Sequence, residues 1–320
     1  MGNRDFFHTG LNVGRSDIAR ALGLQGPGDI YYVDYRNGSD SNSGKTWSRS
    51  FRTLGAAVDA VTSNNNDIIL IDGDSTVTET SMVTLSKNRV HIIGCNGNLG
   101  HYGQGAKVSL GVTTASTDIA TFLNTGVRNT FTGIKFMNAN TVAEGLYCVA
   151  EGGEFARYHN CEFYKSTDLD TTGAAEILHN GDSAMFYNCT IGSSANETGG
   201  IRANVLLTAT LSGKKCRDSY FENCIFLSNA DDTDKVMVYG ANATDVERMF
   251  LMKDCTFFNN PLSSGTPAHA VGFGAAQTQG AVVLKNCTSV DCTVMAQAAV
   301  GIYVDGAVPT FATSGVSVAS

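Results

Sequence analysis

The sequence predicts an all-β protein, a right-handed, single-stranded parallel β-helix whose short strands stack coil on coil. Three observations carry that prediction. A six-residue motif recurs down the second half of the chain, each interval holds further strand-like runs without a helical pattern, and glycine is plentiful (35) while proline is scarce (4). Repeated self-similarity at periods of 20–50 residues marks a solenoid or array, and proline would remove donors from strand ladders.

The motif comes first because it sets the period. Six segments align without gaps: FTGIKF (131–136), YHNCEF (158–163), FYNCTI (186–191), FENCIF (221–226), MKDCTF (252–257) and LKNCTS (284–289), at spacings of 27, 28, 35, 31 and 32 residues. VHIIGC (90–95) reads as an earlier, weaker copy. Asn160, Asn188, Asn223, Asp254 and Asn286 precede Cys161, Cys189, Cys224, Cys255 and Cys287. Asn and Asp tolerate the left-handed backbone conformation, so they suit a sharp bend between strands, and stacked copies can hydrogen-bond along the column. With a side-chain period of two, each Cys faces inward together with the residue two further on: Phe163, Ile191, Phe226 and Phe257, as Phe136 does beside Ile134. Strand-like runs lie between the copies at 145–150, 175–180, 204–211, 235–240 and 269–274, with GIYVDG (301–306) as the last. Three strands per period fit one coil, and the strong preference for right-handed crossovers gives the hand.

The other elements follow along the chain. Residues 1–29 read as an N-terminal arm, with Ser16 capping a short helix from Asp17 to Leu22 and Gly23 ending it. Phe6, Phe7, Leu11, Val13, Ile18, Leu22 and Leu24 make this arm apolar, so it must pack on its own solenoid or on another chain. IYYVD (30–34) is a strand, and a Gly/Ser/Asp loop follows it. Phe51, Leu54, Val58 and Val61 fall at helical spacing, predicting an amphipathic helix over 51–62 with Ser50 as its N-cap. That helix is placed to cover the first open edge of the solenoid, since unpaired strand edges need protection. The β-helix domain then occupies residues 30–306, and 307–320 form a C-terminal tail.

Composition excludes several function classes. The net charge is −8 and no run of Lys and Arg exists, so a nucleic-acid partner is not expected. No apolar run reaches the ~20 residues needed to span a bilayer, and the N-terminus lacks the apolar core of a secretory signal. Nine Cys, without CxxC pairs and mostly within apolar strands, read as buried free thiols rather than a disulfide or metal framework.

IYYVDYRNGSDSNSGKTWSRSFRTLGAAVDAV followed by NDIILIDG resembles the opening of right-handed β-helix proteins of the pectate lyase superfamily, and the Asn-Cys copies resemble their later coils. The resemblance covers about residues 30–306. It is specific for the fold and not for activity, because this fold hosts lyases, hydrolases, epimerases and inert virion parts.

Candidate chemistry is sparse. Asp168, Asp170, Glu197, Asp231, Asp232 and Asp234 lie in loops expected on one side of the solenoid, where oxygen ligands would suit Ca²⁺; a solvated loop face is the plainer reading. Lys214, Lys215 and Arg217 offer a base and a clamp, without acidic partners that the sequence can place. The superfamily's hydrolase motifs do not carry over, and the six His show no metal-ligand spacing; His159 and His179 read as ordinary strand residues. No catalytic, cofactor or metal residues are therefore assigned. Tyr102, Tyr164 and Tyr239 are the tyrosines considered for a sugar platform, with core packing as the simpler role.

The leading expectation is a non-enzymatic bacteriophage virion protein, a capsid decoration, head-fibre or tail appendage subunit, made in the host cytoplasm and fixed to the particle through its arm. Among β-helices of that kind the resemblance implies a homotrimer. The alternatives are a polysaccharide lyase or tailspike-type depolymerase acting on an acidic glycan, and a non-catalytic carbohydrate-binding module.

Overall fold

The computed structural model describes residues 28–72, 79–95, 106–110, 118–139, 146–165, 173–195, 203–208, 215–298 and 301–305. Residues 1–27 of the arm, its seven apolar residues among them, lie outside these, as does the tail.

The chain forms a parallel β-solenoid of three sheets. Sheet A has ten strands, sheet B seven and sheet C eight, and neighbours within each sheet come from successive coils. A coil runs from A to B to C; one passes through Thr130–Thr132, Ile134–Asn138 and Tyr147–Glu151, and the next begins at Arg157–His159. All pairings between strands are parallel and mostly in register, for example Phe131 beside Tyr158 and Tyr158 beside Phe186.

Alternation along each short strand sends one column of side chains inward. In sheet A that column includes Tyr31, Ile69, Ile92, Phe131, Tyr158, Phe186, Phe221, Met252 and Leu284, all buried. Coil spacing equals the strand-pairing distance of about 4.8 Å, so rings in one column stack face to face. Phe131 and Tyr158 are 4.5 Å apart, Tyr158 and Phe186 4.6 Å, and Phe186 and Phe221 4.3 Å, with interplanar angles of 15°, 3° and 10°. Sheet B contributes Phe136, Phe163, Ile191, Phe226 and Phe257, and sheet C contributes Phe122, Val149, Ile177, Val205 and Val238.

The corner between sheets A and B is built by the repeat motif. Asn160, Asn188, Asn223, Asp254 and Asn286 have φ of 53°, 53°, 52°, 53° and 51°, and Gly133 takes the same place at 64°. Asn223 Nδ2 donates to Asn188 Oδ1 at 2.8 Å, and Asn286 Nδ2 to Asp254 Oδ1 at 2.6 Å. Cys161, Cys189, Cys224, Cys255 and Cys287 follow as a buried column, and all nine cysteines are free thiols. Each thiol of the column donates to a carbonyl of the preceding coil, as Cys189 does to Tyr158 O at 3.7 Å.

Four expectations are corrected. The helix spans Leu54–Ala60, shorter than 51–62, and Thr53 rather than Ser50 caps it: Thr53 Oγ1 accepts from Ala56 N at 3.2 Å. Phe51 is extended and bridges Val33. The helix packs Leu54, Ala57 and Val58 into the core beside Ile30–Val33, Ile68–Ile71 and Val83–Leu85. The free edge of Ile30–Val33 is met instead by the loop: Tyr32 N donates to Gly44 O, Phe51 N to Tyr32 O and Asp34 N to Phe51 O, at 2.8, 2.8 and 2.9 Å. Gly44 is required there, because at φ 68° a Cβ would sit 2.1 Å from the Phe51 ring.

The other two corrections concern register and sheet. In VHIIGC it is Ile92, not Val90, that pairs with Phe131, a slip of two residues from the sequence alignment. GIYVDG supplies Ile302–Val304 to sheet A, whereas the last strand of sheet C is Val294–Ala296. The Ile92 slip preserves which face is buried, because the side-chain period is two.

Candidate functional site

The three outer faces differ in what they leave open. On sheet C, Ala120, Tyr147, Ala150, Ala175, Leu178 and Ala203 form a second apolar cluster, with Leu178 only 5% exposed. On sheet B the Tyr164 ring is covered by Lys135, whose Nζ lies 4.8 Å from its centroid and pairs with Glu162 at 2.7 Å. Sheet A presents an accessible aromatic and charged surface over its middle coils.

That surface comes from the two columns flanking the buried one. Arg157, Met185, Tyr220 and Leu251 align in one, and His159, Tyr187, Glu222, Lys253 and Lys285 in the other. The His159 and Tyr187 rings stack at 5.0 Å and 9°, and Tyr220 meets Tyr187 edge-on at 5.7 Å and 70°. Tyr187 Oη donates to Met185 Sδ at 3.2 Å. Lys253 Nζ pairs with Glu222 Oε1 at 2.5 Å, and Arg157 and Lys285 are exposed.

Electrostatics fix the charge states. The Lys253 ammonium holds the Glu222 carboxyl below its usual range, and Glu222 in turn raises Lys253 to about 12. Burial first, and Glu222 second, push the Tyr220 phenol to about 12. Burial, with Arg157 beside it, lowers His159, so this imidazole is neutral at neutral pH. The face thus carries Arg157, Lys253 and Lys285 around neutral rings, with Lys253 paired to Glu222 and 3.6 Å from Asp254. Flat π-faces bordered by hydrogen-bonding groups can hold the apolar face of a sugar ring, and the guanidinium can grip a carboxylate.

The buried titratable groups elsewhere are structural. Glu79 is raised by burial, but its Oε1 accepts from Leu54 N at 2.8 Å and Tyr35 Oη at 2.7 Å beside the helix start. Glu151 is fully buried and accepts from Asn124 Nδ2, Gly153 N and Tyr158 Oη. His179 is fully buried against Ser219 Oγ at 2.8 Å, and burial lowers it to about 3. Burial holds the Cys189 and Cys224 thiols well above their ordinary value, which makes them poor nucleophiles.

The residues singled out from sequence fall as follows. Asp168, Asp170, Glu197, Lys214 and Tyr102 lie outside the described residues. Asp232 Oδ1 accepts from Asp234 N at 2.9 Å and Lys235 N at 3.2 Å, so it closes its own turn. Among the described residues no three His, Cys, Asp or Glu gather in a way that could hold a metal ion. Arg217 has the acidic partners on neighbouring coils that the sequence could not place: Asp182 at 3.3 Å and Glu247 at 3.0 Å. Tyr164 and Tyr239 are not in the inner core; both lie on outer faces, Tyr239 beside the sheet C cluster. His159, an ordinary strand residue by sequence, is half-exposed on sheet A beside Tyr187 and Tyr220, neither of which is singled out from sequence. The signal was present in the motif, whose second position reads His159, Tyr187, Glu222, Lys253 and Lys285 beside an invariably buried first position.

No protein-family model matches the chain, and no curated protein matches it. Solved structures do. A pectin methylesterase from Aspergillus niger, in deglycosylated form, matches with a TM-score of 0.57 and 11% identity, covering 88% of this chain and 82% of that one. The pectate lyase Pel9A matches with a TM-score of 0.56 and 14% identity over 92% of this chain and 75% of that one. A rhamnogalacturonan lyase matches with a TM-score of 0.52 and 14% identity over 84% and 70%. At such identities the likeness shows the fold, the parallel β-helix of pectin lyase type. The neighbours are enzymes named for polysaccharide substrates.

Proposed function

We propose that this protein is a carbohydrate-acting β-helix that binds an acidic polysaccharide on the outer face of sheet A. The half-exposed His159–Tyr187 stack with Tyr220 beside it carries this reading, because aromatic rings left half-exposed on a rigid sheet are available to contact a sugar. Arg157, Lys253 and Lys285 favour a glycan bearing carboxylates over a neutral one. The fold neighbours' named substrates, pectin, pectate and rhamnogalacturonan, are of that class. The outer carboxylates nearby are engaged in ion pairs, Glu222 with Lys253 and Asp218 with Arg248, which favours binding over hydrolysis at this face. The virion role expected from the arm gains no support from the comparisons, and the arm that motivated it lies outside the described residues.

The test is affinity electrophoresis of the full chain through gels containing polygalacturonate, rhamnogalacturonan or neutral dextran, with the Tyr187→Ala and Arg157→Ala variants alongside. Retardation by an acidic polymer, lost in both variants, is expected. Equal mobility in all gels would overturn the reading. Assays for unsaturated ends and released methanol on the same polymers separate a binder from a lyase or an esterase.

A further inference from the structure

Phe155 is the one aromatic among the described residues whose backbone lies in the left-handed region. It occupies the corner between sheets C and A at φ 55°, in a column with Arg128, Ser183 and Asp218 at 59°, 56° and 46°. The neighbours in this column are polar, whereas Phe155 is a bulky ring that is 45% exposed. A bulky side chain in the left-handed region is strained, and an exposed ring returns little on folding. The backbone holds it there firmly: Phe155 N donates to Asp182 O at 2.8 Å, and Arg128 N to Glu154 O at 2.7 Å. The Arg128 guanidinium lies 5.7 Å from the Phe155 ring centroid, a cation over an aromatic face. Strained, exposed side chains that the fold does not need mark ligand sites.

Phe155 is also continuous with the sheet A face. Phe155, Arg157 and His159 alternate with the buried Ala156 and Tyr158, so they form one outward row along a single coil. Four residue steps span up to about 13 Å, longer than one sugar ring. Resting on the glycan-binding reading above, we propose that Phe155 and Arg128 form a second sugar subsite, and that the bound chain crosses the coil along this row instead of following the solenoid axis. The Phe155 ring takes the apolar face of a further sugar. Arg128, exposed beside it, donates to that sugar's hydroxyl or carboxylate oxygens.

The experiment measures binding of galacturonate oligomers, from dimer to hexamer, to the full chain and to Phe155→Gly, Phe155→Trp and Arg128→Gln. Gly suits φ 55°, so that variant folds without strain, which circular dichroism and an unchanged or raised Tm verify. The expected result is hexamer affinity lowered about tenfold in Phe155→Gly, dimer affinity unchanged, and hexamer affinity restored in Phe155→Trp. Arg128→Gln should weaken the hexamer in the same selective way. Hexamer binding by Phe155→Gly equal to that of the wild-type chain overturns the subsite while leaving the sheet A face intact. Failure of the wild-type chain to bind any oligomer overturns both.

Discussion

Replacing Asn188 separates the two contributions of the corner ladder. Its φ of 53° disfavours an ordinary residue, and its Oδ1 accepts from Asn223 Nδ2 at 2.8 Å. In Asn188→Ala the left-handed conformation costs about 1–2 kcal/mol, and an exposed hydrogen bond worth about 0.5 kcal/mol is lost. The expected loss is therefore roughly 2 kcal/mol. Asn188→Gly loses the same bond but meets φ 53° without strain, offset by about 0.5–1 kcal/mol of extra chain entropy. Its expected loss is about 1 kcal/mol. Equilibrium urea denaturation reads the difference as a lower midpoint for Ala at unchanged slope. Hydrogen exchange should place the weakening in the coils flanking Asn188, including the Thr190 amide that bonds Cys161 O, because stacked repeats lose stability next to the altered interface. A Gly variant as unstable as the Ala variant would refute the backbone argument.

Three further outcomes are expected. His179 has a folded-state pKa of about 3 against about 6.5 when unfolded, so the unfolded chain binds the extra proton between those values. Stability should fall as pH drops from about 6.5 toward 3, by up to about 1.4 kcal/mol per pH unit. Leu207 holds the neighbouring place in the column, so His179→Leu should flatten that slope by one proton in pH-dependent denaturation; an unchanged slope would count against a buried neutral imidazole. With a thiol reagent under native, mildly alkaline conditions, the half-buried Cys95 and Cys292 should label before Cys161, Cys189, Cys224, Cys255 and Cys287; early labelling within the column would contradict its burial. Glycan binding should weaken with added salt, and Arg157→Ala should make it less salt-dependent; an unaltered dependence would remove Arg157 from the contact.

The solenoid was legible because its physics repeats. A left-handed corner selects Asn, Asp or Gly, the following inward position takes a small Cys, and the position two further on fills the core, so Asn188, Cys189 and Ile191 can be read in any one coil and checked in the next. The first coils were less legible. Their corner lacks the Asn-Cys pair, and without it the register of Ile92 slipped by two residues. The helix was placed too early because Phe51 matches a helical period by spacing alone, while its backbone pairs with Tyr32 and Asp34. The open face was hidden for a different reason. His159 and Tyr187 alternate correctly for strands, and periodicity says which side a residue faces but not whether another layer covers that side. The sheet C strands read as near-continuous apolar runs and Leu178 is buried, whereas the sheet A strands alternate and Arg157 is exposed. Phe155 carries no sequence signal, because its strain depends on a corner conformation that it shares with Arg128 and Ser183 on the neighbouring coils.

The most direct test of the sheet A face is hydroxyl-radical footprinting of the full chain with and without polygalacturonate. The account predicts protection of His159, Met185, Tyr187 and Tyr220, with the exposed Leu262, in the loop that follows the sheet B strand Thr256–Asn259, unchanged. Protection confined to sheet B or C, or none at a polymer concentration that retards the chain in a gel, would contradict it.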